Sequence, residues 1–151
     1  MWNGRWAGDL PWNADNEAAL TRWRERLAAG RWMPAVGSSD AHLAGQIGVP
    51  HTVVFAEALT VEAVLAGLRG GRSWIAGGAG IEVDVVVEAG GKVAGAGQRL
   101  VTGGAPVCVR VRVRGVAEPD VRVHGGALTW VEVRHPGGAV AALTNPVFVV
   151  D

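Results

Sequence analysis

The residues whose types and spacing suit chemistry are Val36-Gly37-Ser38-Ser39-Asp40-Ala41-His42. Asp40 and His42 are two positions apart, so in an extended segment their side chains point to the same side. A carboxylate and an imidazole side by side can coordinate a divalent metal such as zinc, manganese or iron. Ser38 or Ser39 can orient them through hydrogen bonds. The segment directly follows the apolar run 32–36, which reads as a strand. It therefore lies at that strand's C-terminal end, where parallel α/β architectures carry their active sites. The motif alone leaves two readings open. One is a pair of metal ligands; the other is an Asx or Ser turn with His42 in solvent. Two protein ligands fall short of a full zinc set, and nothing else in the chain obviously completes it.

The other chemically capable residues offer less. His51, in Gly48-Val49-Pro50-His51-Thr52, reaches the same face only if its loop folds back; otherwise it is a loop histidine. His124 and His135 stand in turn contexts and read as surface residues. Ser39, His42 and Asp40 cannot form a nucleophile–base–orienter triad, because neighbours on one loop do not adopt that geometry. No glycine pair is followed by Lys-Ser/Thr, so there is no phosphate-binding P-loop. The row Arg110, Arg112, Arg114 reads as the solvated face of a strand, with anion recognition as the sharper alternative. Cys108, the single cysteine, sits in an alternating Val/Arg run and reads as structural; alone it excludes a disulfide framework.

The elements that must hold these residues change character near position 77. Over 1–76, strand and helix signals alternate. Leu20, Trp23 and Leu27 form an apolar stripe in a helix over 16–29, capped by Asp15 or Asn16 and ended by Gly30. Strands are expected at 32–36, 52–56 and 73–76. Pro34 makes the first irregular or an edge. A second helix runs from its Thr60 cap to Arg69, with Val61, Val64, Leu65 and Leu68 on the buried side and Gly70-Gly71 at its end. Strand–helix–strand order with short links implies parallel crossovers. Residues 77–80, Gly-Gly-Ala-Gly, read as a linker. Beyond it, period-two alternation over 81–88 and 107–114, a Gly90-Gly91 turn and further short runs predict an antiparallel β-sandwich of six or seven strands.

Composition bounds the function classes. The chain has 151 residues, 49% hydrophobic and 19% charged, which is a globular balance. Fourteen basic and fourteen acidic side chains give zero net charge, evenly split between the halves, which argues against a nucleic-acid partner. No apolar run is long enough to span a membrane, and the first residues do not form a signal peptide; the expected location is cytoplasmic. Five of the seven tryptophans, Trp2, Trp6, Trp12, Trp23 and Trp32, fall in the first 32 residues, so the N-terminal third must pack or expose much indole.

Taken in order, these motifs resemble the C-terminal part of a PHP-type metallohydrolase, most closely the CehA/McbA-like branch. The likeness rests on Ala35-Val36-Gly37-Ser38-Ser39-Asp40-Ala41-His42, on Ile47-Gly48-Val49-Pro50-His51-Thr52-Val53-Val54 and on 59–71. Upstream, Trp2-Asn3-Gly4 and the Trp23/Leu27/Gly30 helix are similar to the segment before the Asp-x-His motif. Val131-Glu132-Val133-Arg134 and Ala142-Leu143-Thr144-Asn145-Pro146-Val147-Phe148-Val149 are similar to the closing strands of that branch's appended β-sandwich. The stretch 124–130 is shorter than the family pattern.

The resemblance implies α/β plus all-β architecture: residues 1–76 as the C-terminal portion of a distorted (β/α)7 barrel, 77–80 as a Gly-rich linker, and 81–151 as a β-sandwich domain. It implies metals that activate water against phosphoesters, esters or carbamates. Asp40 and His42 take the ligand role, with Ser39, His51 and Asn3 as supporting or substrate-facing positions. The family's earlier motifs, an N-terminal His-x-His and further acidic and histidine ligands, are absent from this sequence. The expectation is therefore a C-terminal fragment of a metal-dependent hydrolase with little or no activity alone. A missing N-terminal half or a second copy would cover the barrel edge, and two chains could each donate one Asp-x-His to a shared site. The competing expectation is a non-catalytic binding or interaction module built on the β-sandwich, docking a partner or a carbohydrate.

Overall fold

A computed structural model describes residues 1–4 and 12–151. The chain begins with β1 (Trp2–Asn3), α1 (Ala14–Ala28), β2 (Gly37–Ser38), β3 (His51–Val54), α2 (Val61–Arg69) and β4 (Ser73–Ala76). It continues with β5 (Glu82–Ala89), β6 (Lys92–Ala94), β7 (Arg99–Val101), β8 (Cys108–Arg114), β9 (Asp120–His124), β10 (Leu128–Arg134), β11 (Val140–Thr144) and β12 (Val147–Val150). The architecture is mixed α/β with mostly strands, in several sheets. Among the described residues no sheet closes into a barrel.

α1 forms as its stripe requires, with Leu20, Trp23 and Leu27 buried. Its cap lies earlier than expected. The Asn13 carbonyl oxygen Oδ1 accepts from the Asn16 backbone at 3.0 Å, because the Asn16 side chain is committed to Asn3. Gly30, at φ +70°, ends the turn in the left-handed conformation that glycine adopts without a Cβ clash. α1 connects two parallel strands: Trp2 pairs with Gly37 and Asn3 with Ser38. This is the expected parallel crossover. The run 32–36 carries no ladder of its own; the ladder opens at Gly37, while the Val36 carbonyl accepts from Met1 and Trp2.

The second expected crossover is not there. β3 and β4 are antiparallel, with His51 opposite Ala76 and Val54 opposite Ser73. The Phe55 amide donates to the Arg72 carbonyl at 2.8 Å, so the chain closes back on itself beside α2. Thr60 does cap α2, its Oγ1 accepting from Ala63 at 3.2 Å. The expected buried stripe fails: Val61 is 69% exposed and Leu65 39%. α2 instead approaches β3 through Gly67, where a Cβ would stand 2.6 Å from Val54 Cγ1. Periodicity shows that a helix face is apolar, not that the same chain covers it.

β4 also pairs with β11, placing Ile75 opposite Leu143. The seven-stranded sheet runs β3-β4-β11-β10-β12-β7, with β9 on β10, so it crosses residues 77–80. A three-stranded sheet, β6-β5-β8, packs on it through Val83, Val131, Val133, Ala141 and Ala142. This is a sandwich-like stacking, with eight strands beyond residue 80. Sequence reading misses the short β6 and β7. Gly90 and Gly91, at φ +56° and +77°, make the two-residue turn between β5 and β6. Arg112 and Arg114 lie opposite Asp84 and Glu82, and Arg110 pairs with Glu88, so the arginine row is an exposed cross-strand ion ladder.

The described tryptophans of the N-terminal third belong to the core or pack against it. Trp2, Trp12 and Trp23 are buried with Leu20, Ile75, Trp130 and Leu143, and Trp32 packs against them. Trp6 lies outside the described residues. Trp2 meets Trp12 edge-on at 4.8 Å, and Trp23 meets Trp130 at 5.0 Å. Within this core Asn145 ties three segments together. Its Oδ1 accepts from Ala35 at 2.7 Å, and its Nδ2 lies within 3.1 Å of the Ala35 carbonyl, the Ser73 carbonyl and Ser73 Oγ.

Candidate functional site

β1 and β2 place the candidate residues. Gly4, following β1, donates to the Ser38 carbonyl at 2.8 Å. It lies so close to the next peptide that a Cβ would sit 2.0 Å from the Ser39 carbonyl oxygen. Glycine is the residue that fits there. Asp40 then turns out of β2 with φ +49°, a left-handed conformation that costs most residues energy and that Asp tolerates better than most. Its amide faces Ser38 Oγ at 3.4 Å, so Ser38 is the serine that touches Asp40's backbone. Ser39 contributes its main chain to the contact with Gly4.

Asn3 and Asp40 come together: Asn3 Nδ2 donates to Asp40 Oδ2 at 3.2 Å. Asn3 is itself held by Asn16, which accepts from the Asn3 amide at 3.0 Å and donates to its carbonyl at 2.9 Å. Asn16 is buried in the first turn of α1, so the helix start aims Asn3 at the carboxylate. His42 Nδ1 lies 2.8 Å from the Asp40 carbonyl oxygen. A carbonyl can only accept, so Nδ1 carries the proton and the neutral ring has its lone pair on Nε2. Gln46 Oε1 accepts from the His42 and Leu43 amides at 2.9 and 3.1 Å and fixes the loop behind the imidazole.

His51 repeats the arrangement, with Nδ1 2.8 Å from the Gly48 carbonyl. It opens β3, whose Thr52 hydroxyl accepts from the Gly37 amide at 2.8 Å and donates to its carbonyl at 2.7 Å. Thr52 thus fastens β3 to β2. Asp40 and His42 carry an oxygen and a nitrogen donor, the atom types that divalent sites use. Among the described residues, no group of three or more His, Cys, Asp or Glu side chains converges. Asn16, Gln46 and Thr52 escape sequence reading. Asn16 stands where a helix cap is expected, and that explanation hides its contact with Asn3.

Residues 23–73 match a family model described as PHP-associated. The matched stretch is about one third of the chain and includes Asp40, His42 and His51. It runs from within α1 to the first residue of β4. No curated protein and no solved structure matches the chain. No described helix is long and apolar enough to cross a membrane.

Outside the PHP-associated stretch, His124 departs from its reading as a surface turn residue. It stacks on Trp130 at 3.8 Å with 6° between planes, and its Nε2 lies 3.3 Å from Glu132 Oε2. Glu132 is fully buried. It is bonded by Arg24 and Arg134, with Arg122 at 3.8 Å. Arg134 continues to Glu17 through two bonds of 2.8 and 3.1 Å. His135 sits in the β10–β11 turn, and Cys108 is exposed at the start of β8.

Proposed function

We propose that this chain supplies the C-terminal part of a PHP-type metal-dependent hydrolase of the CehA/McbA-like kind. Asp40 and His42 serve as part of its ligand set, and the chain by itself has little or no hydrolytic activity. The observation that carries this reading is the PHP-associated match over 23–73, which brackets a carboxylate and an imidazole held at the end of a parallel strand. Two further features support it. The Asp40 carbonyl sets the His42 tautomer that a metal ligand needs, and Asn3 steadies the Asp40 carboxylate. A divalent zinc, manganese or iron ion, when bound, would supply an acidified water for ester hydrolysis. Asp40 and His42 bind and orient, and His51 is the nearest candidate in sequence for a third donor.

The remaining donors, in this reading, come from an N-terminal barrel half or from a second copy. Leu43, Ile47, Phe55, Leu59 and Val61 are each more than two-thirds exposed, an apolar set that such a partner would cover. A cytoplasmic location belongs to the same proposal. The test is metal content and native mass of the purified chain, compared with Asp40→Ala/His42→Ala. Stoichiometric metal lost in the double variant supports the ligand roles, and a dimer mass would assign the missing donors to a second copy. Robust phosphodiesterase turnover by the monomeric chain would overturn the claim that it is inactive alone.

A second reading, a binding module on the stacked sheets, draws on a cavity of about 390 Å³ between β3–β4 and β5. Arg72, Trp74, Asp84 and Gln98 line it, a mixed aromatic and polar wall suited to a small polar ligand. Saturable carbohydrate binding lost in Trp74→Ala would favour it.

A further inference from the structure

β9 is an edge strand with an open outer side. It pairs with β10 alone, Val121 opposite Val133 and Val123 opposite Val131. The Val131 amide donates to Thr144 Oγ1 on β11, and the Ala127 carbonyl accepts from Val149 on β12. Along 127–133 the odd-numbered residues thus turn their backbone groups away from β9. In an antiparallel ladder the residues opposite them on β9 face outward too. The N–H and C=O groups of Val121 and Val123 therefore point past the sheet, and among the described residues no backbone group there meets them. Their side chains share the face of Val131 and Val133, the layer that packs under the β6-β5-β8 sheet. That cover ends before β9: Val131 and Val133 are fully buried, while Val121 is 38% and Val123 48% exposed.

An open ladder with an apolar face is a template for a further strand. β8 is an edge as well, but it is guarded. Arg110, Arg112 and Arg114 alternate along it, so a second β8 laid antiparallel with faces matched sets arginine against arginine. The polar face of β9 carries both signs instead, as Asp120, Arg122 and His124. With Val121 opposite its own copy, each Asp120 stands opposite the partner's Arg122. A slip of two residues sets Asp120 against Asp120 in one direction and Arg122 against Arg122 in the other, which like charges disfavour. Asp120 spends only Oδ2 on its own Arg122, leaving Oδ1 for a second guanidinium.

We propose that β9 pairs antiparallel with β9 of a second copy about a two-fold axis at Val121, joining two sheets into one. The two Val121 residues exchange backbone hydrogen bonds on the axis, and each Val123 lies over the partner's Pro119. Two Asp120–Arg122 pairs across the axis fix the register. β9 and β3 are opposite edges of their sheet, so this contact is separate from the exposed apolar set that follows β3.

Sedimentation equilibrium of the purified chain from about 1 to about 300 µM tests this, with average mass rising from one chain toward two. Asp120→Arg and Arg122→Glu should each weaken association by about tenfold or more, because each sets like charges opposite one another. An equimolar mixture of the two variants should associate as a heterodimer about as well as the original chain, since both cross-pairs are again opposite. Val121→Pro removes an outward N–H and no bond to β10, so it should abolish association and leave the monomer folded by thermal melting. A mass of one chain throughout would overturn the proposal. So would association unchanged by Asp120→Arg and Val121→Pro. Association lost in Leu59→Lys but kept in Asp120→Arg would assign the contact to the surface beside α2, and overturn it equally.

Discussion

Asn16 grips Asn3 at both ends of its peptide unit, accepting from the amide at 3.0 Å and donating to the carbonyl at 2.9 Å, and Asn3 in turn reaches Asp40. The candidate carboxylate is thus positioned from the first turn of α1. Asn16→Ala removes a buried side chain and leaves the part-buried amide and carbonyl of Asn3 without these partners. The loss should be about 2–3 kcal/mol, read from urea unfolding. If metal binding is lost while the fold survives, the chain Asn16–Asn3–Asp40 is confirmed as a positioning relay.

Asp40 carries a positive φ, which separates its backbone role from its carboxylate role. Asp40→Gly and Asp40→Ala both remove the carboxylate, but only glycine relieves the conformation. The glycine variant should be the more stable of the two by about 1 kcal/mol in denaturant midpoint. The reverse order would mean the loop abandons this conformation when the carboxylate goes.

Arg134 bridges Glu17 on α1 and the fully buried Glu132 on β10. Arg134→Met strips Glu132 of a partner without giving it water, a loss of about 3–5 kcal/mol. Adding Glu132→Leu should recover a large share of it, because no buried charge is then left behind. Unfolding curves of the single and double variants measure the difference directly.

Acid should weaken the fold through the same cluster. A hydrogen bond from Arg134 holds Glu17 below its ordinary value of 4.5. For Glu132, burial pushes upward, but the bonds from Arg134 and Arg24 outweigh it and hold the carboxyl below 4.5. Depressed carboxyls contribute stability that is present above the unfolded value and lost as pH falls through the folded one. His124, held below 6.5 chiefly by burial, acts in the same direction at higher pH. Unfolding free energy should therefore fall steadily from about pH 7 to about pH 3, and Glu17→Gln should flatten the acid end.

What could be read from the sequence was what is local. The α1 stripe, the Thr60 cap, the Gly90-Gly91 turn and the period-two strands β5 and β8 are set by neighbours a few positions away. The Asp40–His42 pair was visible because a strand end and a two-residue spacing are also local. The pairing of β4 with β11 joins residues almost seventy positions apart, and no periodicity records it. His124 shows the same limit. Its Val-His-Gly-Gly context signals a turn and says nothing of the indole beneath it or the carboxylate beside it. The Asn3–Asp40 contact spans 37 positions and is likewise not recorded in any local pattern.

β4 is hydrogen-bonded on both edges, to β3 before the glycine-rich stretch and to β11 after it. A protease that cut the chain within 78–80 would sever the covalent link and leave this seam closed. The nicked molecule should elute as one species and resolve into two bands only on a denaturing gel. Fragments 1–78 and 79–151, expressed together, should find each other along the same seam.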